Sequence, residues 1–249
     1  MNKKDFSVSV AMAAYNGEHY IEAQIQSILS QLRPEDELVI SLDPSSDRTE
    51  EIIRSFAGKD MRVRLVRGQG KGLISNFENA IRHCKKDILF LSDQDDVWKE
   101  GKVDSVLECF RDPSVSVVMH DAQIVDEEGV CIEPSFMKKR GCRKGVLQNL
   151  IKNSYIGCCM AFRKEMRKFI LPFPKDLPMH DQWIGLVGEI TGKTKILEKP
   201  LICYRRHGHN ASADSHAGFR QMLTWRVCIF RDILKFAVKY KRYKGRNKK

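Results

Sequence analysis

The sequence predicts an α/β fold, a mainly parallel, Rossmann-like sheet flanked by helices, followed by a basic amphipathic helix at the C-terminus. Three observations predict it. Short apolar runs alternate with segments of helical apolar spacing over residues 8–120, the pattern of a sheet whose crossovers are helices. Polar residues follow those runs directly, where open α/β sheets collect ligands. Residues 220–249 carry 11 Lys or Arg and one acid, Asp232, on a pattern of helical period.

The elements follow in order. Val8 to Ala14 reads as a buried strand, and beyond Asn16-Gly17 the residues Ile21, Ile25, Ile28, Leu29 and Leu32 recur at helical spacing. Leu38 to Leu42 is a second strand. The turn Pro44-Ser45-Ser46-Asp47 leads into a helix whose opening, Asp47 with Glu50 three residues on, has the form of a capping box. Val63 to Val66 is a third strand. A loop with Gly68, Gly70 and Gly72 precedes a helix through Phe77, Ala80 and Ile81, and Ile88 to Leu91 is the fourth strand. After Asp93-Gln94-Asp95-Asp96 come a helix from Lys99 to Phe110 and a strand from Val115 to His120. Between Asp121 and Ser154, Gly129, Pro134, Gly141 and Gly145 break the periodicity, as loops that shape a pocket do. A helix with Trp183, Ile184 and Val187 follows His180-Asp181, and an extended segment, Lys195 to Tyr204, ends in Arg205-Arg206-His207.

The 249 residues, 42% hydrophobic, suffice for one substantial core, so the division expected is a body over residues 1–219 and a tail over 220–249. The net charge of +11 belongs to the tail: the first 219 residues hold 32 basic and 31 acidic side chains. A nearly neutral body without a nucleic-acid-binding motif argues against nucleic acid as a partner. Eight cysteines without a CxxC pair suit a reduced, cytoplasmic protein. No apolar run reaches the roughly 20 residues that span a bilayer, and the N-terminus is too polar for a signal peptide.

On a helix from Met222 to Tyr240, Trp225, Ile229, Ile233, Phe236 and Tyr240 share one side, widened by Leu223, Phe230, Leu234 and Ala237; Arg231, Lys235, Lys239 and Arg242 lie opposite. Two readings stand. The apolar side meets an anionic membrane surface, making the protein peripheral on the inner face of the plasma membrane, or it packs on the body with its charges solvated.

Three carboxylates within four residues, Asp93, Asp95 and Asp96, repel one another unless a cation lies among them. Mg²⁺ or Mn²⁺, which prefers oxygen ligands and keeps positions open for phosphates, would make the group a diphosphate anchor. The alternative is a solvated loop that caps the next helix.

Taken together, Ala14-Tyr15-Asn16-Gly17, Asp43-Pro44-Ser45-Ser46-Asp47, Asn76-Phe77, Ser92-Asp93-Gln94-Asp95-Asp96-Val97-Trp98 and His180-Asp181 occur in an order and spacing that resembles the family 2 glycosyltransferases, particularly rhamnosyltransferase-like members. The match spans residues 7–210. The resemblance implies a glycosyltransferase A-type fold, a nucleoside-diphosphate-sugar donor, a divalent cation and inversion at the anomeric carbon. It places Ala14, Tyr15 and Asn16 around the nucleotide, Asp43 on the base, Asp93 and Asp95 on metal and ribose, and Asp181 as catalytic base. Where the family has Asp-Asp-Gly this chain has Leu42-Asp43-Pro44, so one acidic contact is missing and the loop is stiffer.

Asn76, with Lys71 and the glycines, stands where a helix N-terminus can face phosphate. Arg205 and Arg206 are candidates for phosphate, and His207 for the metal or diphosphate or for a structural role. Residues 208–218, small and polar between Gly208 and Gly218, suit a lid. The function expected is transfer of a sugar, rhamnose or a related hexose, to a glycan or lipid-linked acceptor in bacterial surface polysaccharide synthesis. Nucleotidyl transfer and a catalytically dead membrane-associated scaffold are the alternatives.

Overall fold

The computed structural model describes residues 6–143, 145–208 and 218–246. The first half is regular. Strand β1 (Val8–Ala14) leads through α1 (Ile21–Leu29) to β2 (Glu37–Leu42), then α2 (Thr49–Lys59), β3 (Val63–Arg67), α3 (Leu73–His83) and β4 (Ile88–Ser92). These four strands pair in parallel, ordered β3-β2-β1-β4, and every residue of β1, β2 and β4 is buried. Burial on both faces is why they read as nearly continuous apolar runs, interrupted only by Ser9, Glu37, Ser41 and Ser92.

The second half departs from a parallel sheet. The short β5 (Val97–Trp98) and α4 (Lys102–Cys109) precede a long β6 (Val115–Val125), β7 (Cys131–Glu133), α5 (Phe136–Arg140), α6 (Val146–Ile151) and β8 (Met160–Arg163). Then come α7 (Arg167–Ile170), α8 (His180–Thr191), β9 (Lys193–Arg205) and α9 (Phe219–Arg246). β8 lies between β4 and β6, antiparallel to both, and β5 runs antiparallel to β9, whereas β6 and β9 are parallel. The sheet is therefore mixed. Antiparallel neighbours need no helical crossover, so β8 produces no strand–helix alternation in the sequence.

Two local expectations change. β6 continues five residues beyond His120 into the segment read as irregular, because it pairs with β9 along that length. The capping box at Asp47 does not form: Glu50 pairs with Arg54 at 2.6 Å, while the Asp47 carboxylate accepts from the N–H groups of Thr49 and Glu18, both at 3.0 Å. Asp47 ties the β1–α1 loop to the start of α2 instead of closing a reciprocal cap.

Ile229, Ile233 and Phe236 of α9 belong to the same core as the sheet, packed near α8 with Trp183 and Phe236 ring centroids 5.9 Å apart. The centre of the apolar side seen in the sequence is thus turned inward, while Leu223, Phe230 and Leu234 at its margin are exposed. Among the described residues no helix is long and apolar enough to cross a membrane.

Candidate active site

The ends of β1, β2 and β4 and the N-terminus of α8 converge on one cavity of about 1550 Å³, larger than the roughly 300–1,000 Å³ of a typical small-ligand pocket. Ala14, Tyr15, Asp43, Asn76, Asp93, Asp95, Asp181 and Arg206 line it. Asn16, Arg205 and His207 do not line it but hold its walls.

The wall at β1 is built by reciprocal bonds. The Gln94 side-chain amide accepts from the Tyr15 N–H and donates to the Tyr15 carbonyl, each at 2.8 Å, leaving the Tyr15 ring 57% exposed. Gly17 permits this pairing: a Cβ there would sit 2.3 Å from Gln94 Oε1. Asn16 adopts a positive φ of 45°, and its Oδ1 accepts from the Ser46 N–H at 2.9 Å, latching this loop to the one after β2. Asn76, on the first turn of α3, is buried and donates through Nδ2 to the Ala14 carbonyl at 3.0 Å. Asp43 is buried, and its Oδ1 accepts from the Gly70 N–H at 2.9 Å. Lys71 is exposed and does not line the cavity.

The acidic loop leaves β4 at the centre. Burial, then the charges of Asp95 and Asp181, push the Asp93 carboxyl up to about 7. Asp96 is wholly buried; its Oδ1 accepts from the Arg205 N–H at 3.1 Å, its Oδ2 has no partner among the described residues, and burial holds its carboxyl well above the usual range. Asp95 Oδ2 lies 2.8 Å from His207 Nε2, and the His207 ring stacks on Tyr20 at 4.7 Å. The Arg205 guanidinium donates to the Asp95 carbonyl at 3.1 Å and lies over the Tyr20 ring, so it braces the acidic loop from behind. Arg206 reaches the cavity. The lid expected at 208–218 falls almost wholly on residues 209–217, outside the described residues.

These groups fit a hard cation. Asp93, Asp96 and Cys158 bring one donor atom each within 4.8 Å of one another, and Asp95 with His207 stands beside them. An orphaned buried carboxylate oxygen and carboxyls raised by burial and by one another's charge are what a divalent ion relieves, and oxygen donors suit Mg²⁺ or Mn²⁺ better than the thiol does.

A second cation was not legible in the sequence. Lys102, in the first turn of α4, is wholly buried beneath the acidic loop, donates through Nζ to the Cys158 carbonyl at 3.0 Å and sits 3.9 Å above the Trp98 ring. Burial lowers its ammonium to about 8, while the charges of Asp96 and Asp93 oppose that drop. Lys102→Met is expected to lower unfolding free energy by at most about 1–3 kcal/mol in urea denaturation at pH 7, the cost of an unpaired buried Cys158 carbonyl, because removing an ammonium that burial lowers to about 8 relieves a cost of its own. A loss of about 3–5 kcal/mol, the size of a broken buried ion pair, would show that the acids depend on it.

Across the cavity, Asp181 occupies the first turn of α8. It is buried, accepts from the Gln182 N–H at 2.5 Å and Asn153 Nδ2 at 3.3 Å, and burial raises its carboxyl to about 6. His180 stacks on Phe77 at 4.1 Å; burial lowers its imidazole to about 3, keeping it neutral. The pairs Asn76-Phe77 and His180-Asp181 thus meet in space, one member of each packing against the other. Gly157 allows the approach, since a Cβ there would lie 2.9 Å from His180 Nε2. Arg140, Asn153, Trp225 and Arg226 also line this side, from segments whose sequence pattern marked none of them for the site.

Comparison with known proteins bears on this geometry. The model of the family described as Glycosyl transferase family 2 matches residues 9–171. The chain is 27% identical over 172 residues to the UDP-Glc:alpha-D-GlcNAc-diphosphoundecaprenol beta-1,3-glucosyltransferase WfgD of Escherichia coli, covering 68% of this chain and 65% of that one. It is 26% identical over 216 residues to the dTDP-rhamnosyl transferase RfbG of Shigella flexneri, covering 80% and 72%. Among solved structures it resembles residues 1–349 of S. aureus TarS in complex with UDP-GlcNAc, with a TM-score of 0.71, 17% identity and coverage of 92% and 66%. The mannosyltransferase PcManGT from Pyrobaculum calidifontis, in complex with GDP-Man and Mn²⁺, gives a TM-score of 0.58 at 18% identity, covering 95% and 64%. At such identities these structures show the glycosyltransferase A-type fold alone. The chain spans about two thirds of the length of the first curated relatives it matches.

Proposed function

The chain belongs to glycosyl transferase family 2, and from that premise we propose that it transfers a hexose, rhamnose or a related sugar, from a nucleoside-diphosphate donor to a glycan or lipid-linked acceptor in surface polysaccharide synthesis. Its working units are a catalytic body over residues 1–219 and a basic helix over 220–249, peripheral on the cytoplasmic face of an anionic membrane. The observation that carries the reading is the convergence of Tyr15, Asp43, Asp93, Asp95 and Asp181, distant in sequence, on one cavity. Similarity to structures solved with UDP-GlcNAc and with GDP-Man and Mn²⁺ supports a nucleotide-sugar donor and a divalent ion.

In this reading the exposed Tyr15 ring and the Asp43 carboxylate take the nucleoside, and Asp93 and Asp95, with His207, hold Mg²⁺ or Mn²⁺. Bound there, the ion supplies positive charge to the departing diphosphate. Arg206 adds a cation on the cavity wall. Asp181 accepts the proton of the acceptor hydroxyl as its oxygen bonds to the anomeric carbon and the carbon–oxygen bond to diphosphate breaks, with inversion.

Thermal-shift titration with a panel of nucleotide sugars, with and without Mn²⁺, tests the donor. A donor at 100 times its Kd stabilises by about 2.7 kcal/mol, and only with the ion present. Release of nucleoside diphosphate is the expected product; pyrophosphate would mark a nucleotidyltransferase, and no shift with any donor would leave the scaffold reading.

A further inference from the structure

We infer that the outward face of α6 and α9 docks on an anionic lipid bilayer, with the cavity opening at that surface. This face is the margin of the apolar side the sequence points to, where Leu223, Phe230 and Leu234 widen it. Ile229, Ile233 and Phe236 face the core, and Tyr240 donates its hydroxyl to the Thr191 carbonyl at 3.2 Å. Away from the core contact, Leu223, Val227, Phe230, Leu234 and Val238 follow one another along the same helix at steps of three or four, each between 48% and 59% exposed. α6 touches α9 and adds Leu147 and Ile151, 75% and 69% exposed. A contiguous apolar surface of this kind on a folded body marks an interaction site.

Charge and shape select the occupant. The acid of α9 is Asp232, which pairs with Arg231 at 2.8 Å, so Lys235, Lys239, Lys241 and Arg242 have no acid on their own helix. A second copy meeting this face would set lysine and arginine against their own kind, a costly juxtaposition. A bilayer containing anionic lipid offers both an apolar interior for the stripe and negative head groups for its flanks. The exposed stripe from Leu223 to Val238 extends about 23 Å along the helix axis.

The face is continuous with the cavity. Ile151 belongs to both, and Trp225 and Arg226, in the first turns of α9, line the cavity. A substrate with a lipid tail and an anionic head could pass from the membrane to Asp181 without crossing water. That consequence rests on the sugar-transfer reading; the docking surface does not.

The test is co-sedimentation of the full chain with vesicles of phosphatidylcholine and of phosphatidylcholine mixed with phosphatidylglycerol. Binding to the mixed vesicles, weakened by salt, is expected. Replacing Val227, Phe230 and Leu234 together by Ser should lower partitioning at least tenfold, and Lys235→Gln, Lys239→Gln and Arg242→Gln about fivefold each on anionic vesicles alone. Unchanged thermal midpoints and unchanged binding of the nucleotide panel with Mn²⁺ would show that these variants are folded. Wild-type protein that ignores anionic vesicles, a serine variant that binds like wild type, or a dimer that Phe230→Ser dissociates would each overturn the proposal. Vesicle binding without nucleotide binding would uphold the surface and sink the transfer reading; nucleotide binding without vesicle binding would do the reverse.

Discussion

Asp181→Asn is expected to lower kcat by about 10²–10⁴-fold, the usual worth of a positioned base, while leaving the protein at least as stable as wild type at pH 7. The fall in kcat separates a base from a mere helix cap, and the retained stability shows that it does not come from unfolding. Burial raises the Asp181 carboxyl to about 6, so the folded protein holds its proton more tightly than the unfolded chain. Such a group contributes fully below the unfolded value near 4, and its contribution is lost as pH rises through 6. At pH 7 the buried charge costs about 2–3 kcal/mol. An amide of the same shape keeps the acceptor oxygen for the Gln182 N–H and Asn153 and carries no charge to bury. If Asp181 only capped α8, the substitution would leave kcat near wild type, since Asn caps as well as Asp. As the base, it gives wild-type activity an acid limb near pH 6 that the variant's residual rate lacks.

Asp93→Asn should abolish the Mn²⁺ dependence of donor binding and reduce activity about 10²–10³-fold, the scale of losing a principal electrostatic stabiliser of the leaving group. Its carboxyl, raised to about 7 by burial and by Asp95 and Asp181, must release a proton for a cation to bind. Mn²⁺ affinity of the wild type should therefore weaken at least about tenfold per pH unit below 7, and that slope should become shallower in the variant, where Asp96 keeps a raised carboxyl. The apo variant should not be less stable at pH 8, because the raised carboxyl already costs stability once ionised. Isothermal titration with Mn²⁺ across this pH range decides it; wild-type affinity and slope in Asp93→Asn would remove Asp93 from the metal site.

Much of the site was legible because its signals are local. An apolar run followed at once by Tyr15, Asp43 or Asp93 reports a buried strand and the polar group at its end, and both facts reside in a few consecutive residues. Gln94 lay in view between two acids, but its partner, the Tyr15 backbone, is 79 residues away. Arg205 and Arg206 are equivalent on paper; only the pairing of β9 with β5 and β6 sends one guanidinium behind the acidic loop and the other to the cavity. Lys102 resembles any helix lysine until the fold closes over it.

By itself, then, the sequence determined the parallel half of the sheet, the three-carboxylate loop at its centre, and the presence of a basic amphipathic helix. The tertiary structure alone decided that β8 enters antiparallel, that a buried lysine underlies the acids, and which apolar stripe of α9 turns to the core and which to solvent. Periodicity and turn chemistry act over a few residues and are written in order along the chain. Charge compensation and the choice of buried face depend on what lies across a gap in space, and adjacency of that kind exists only once the chain has folded.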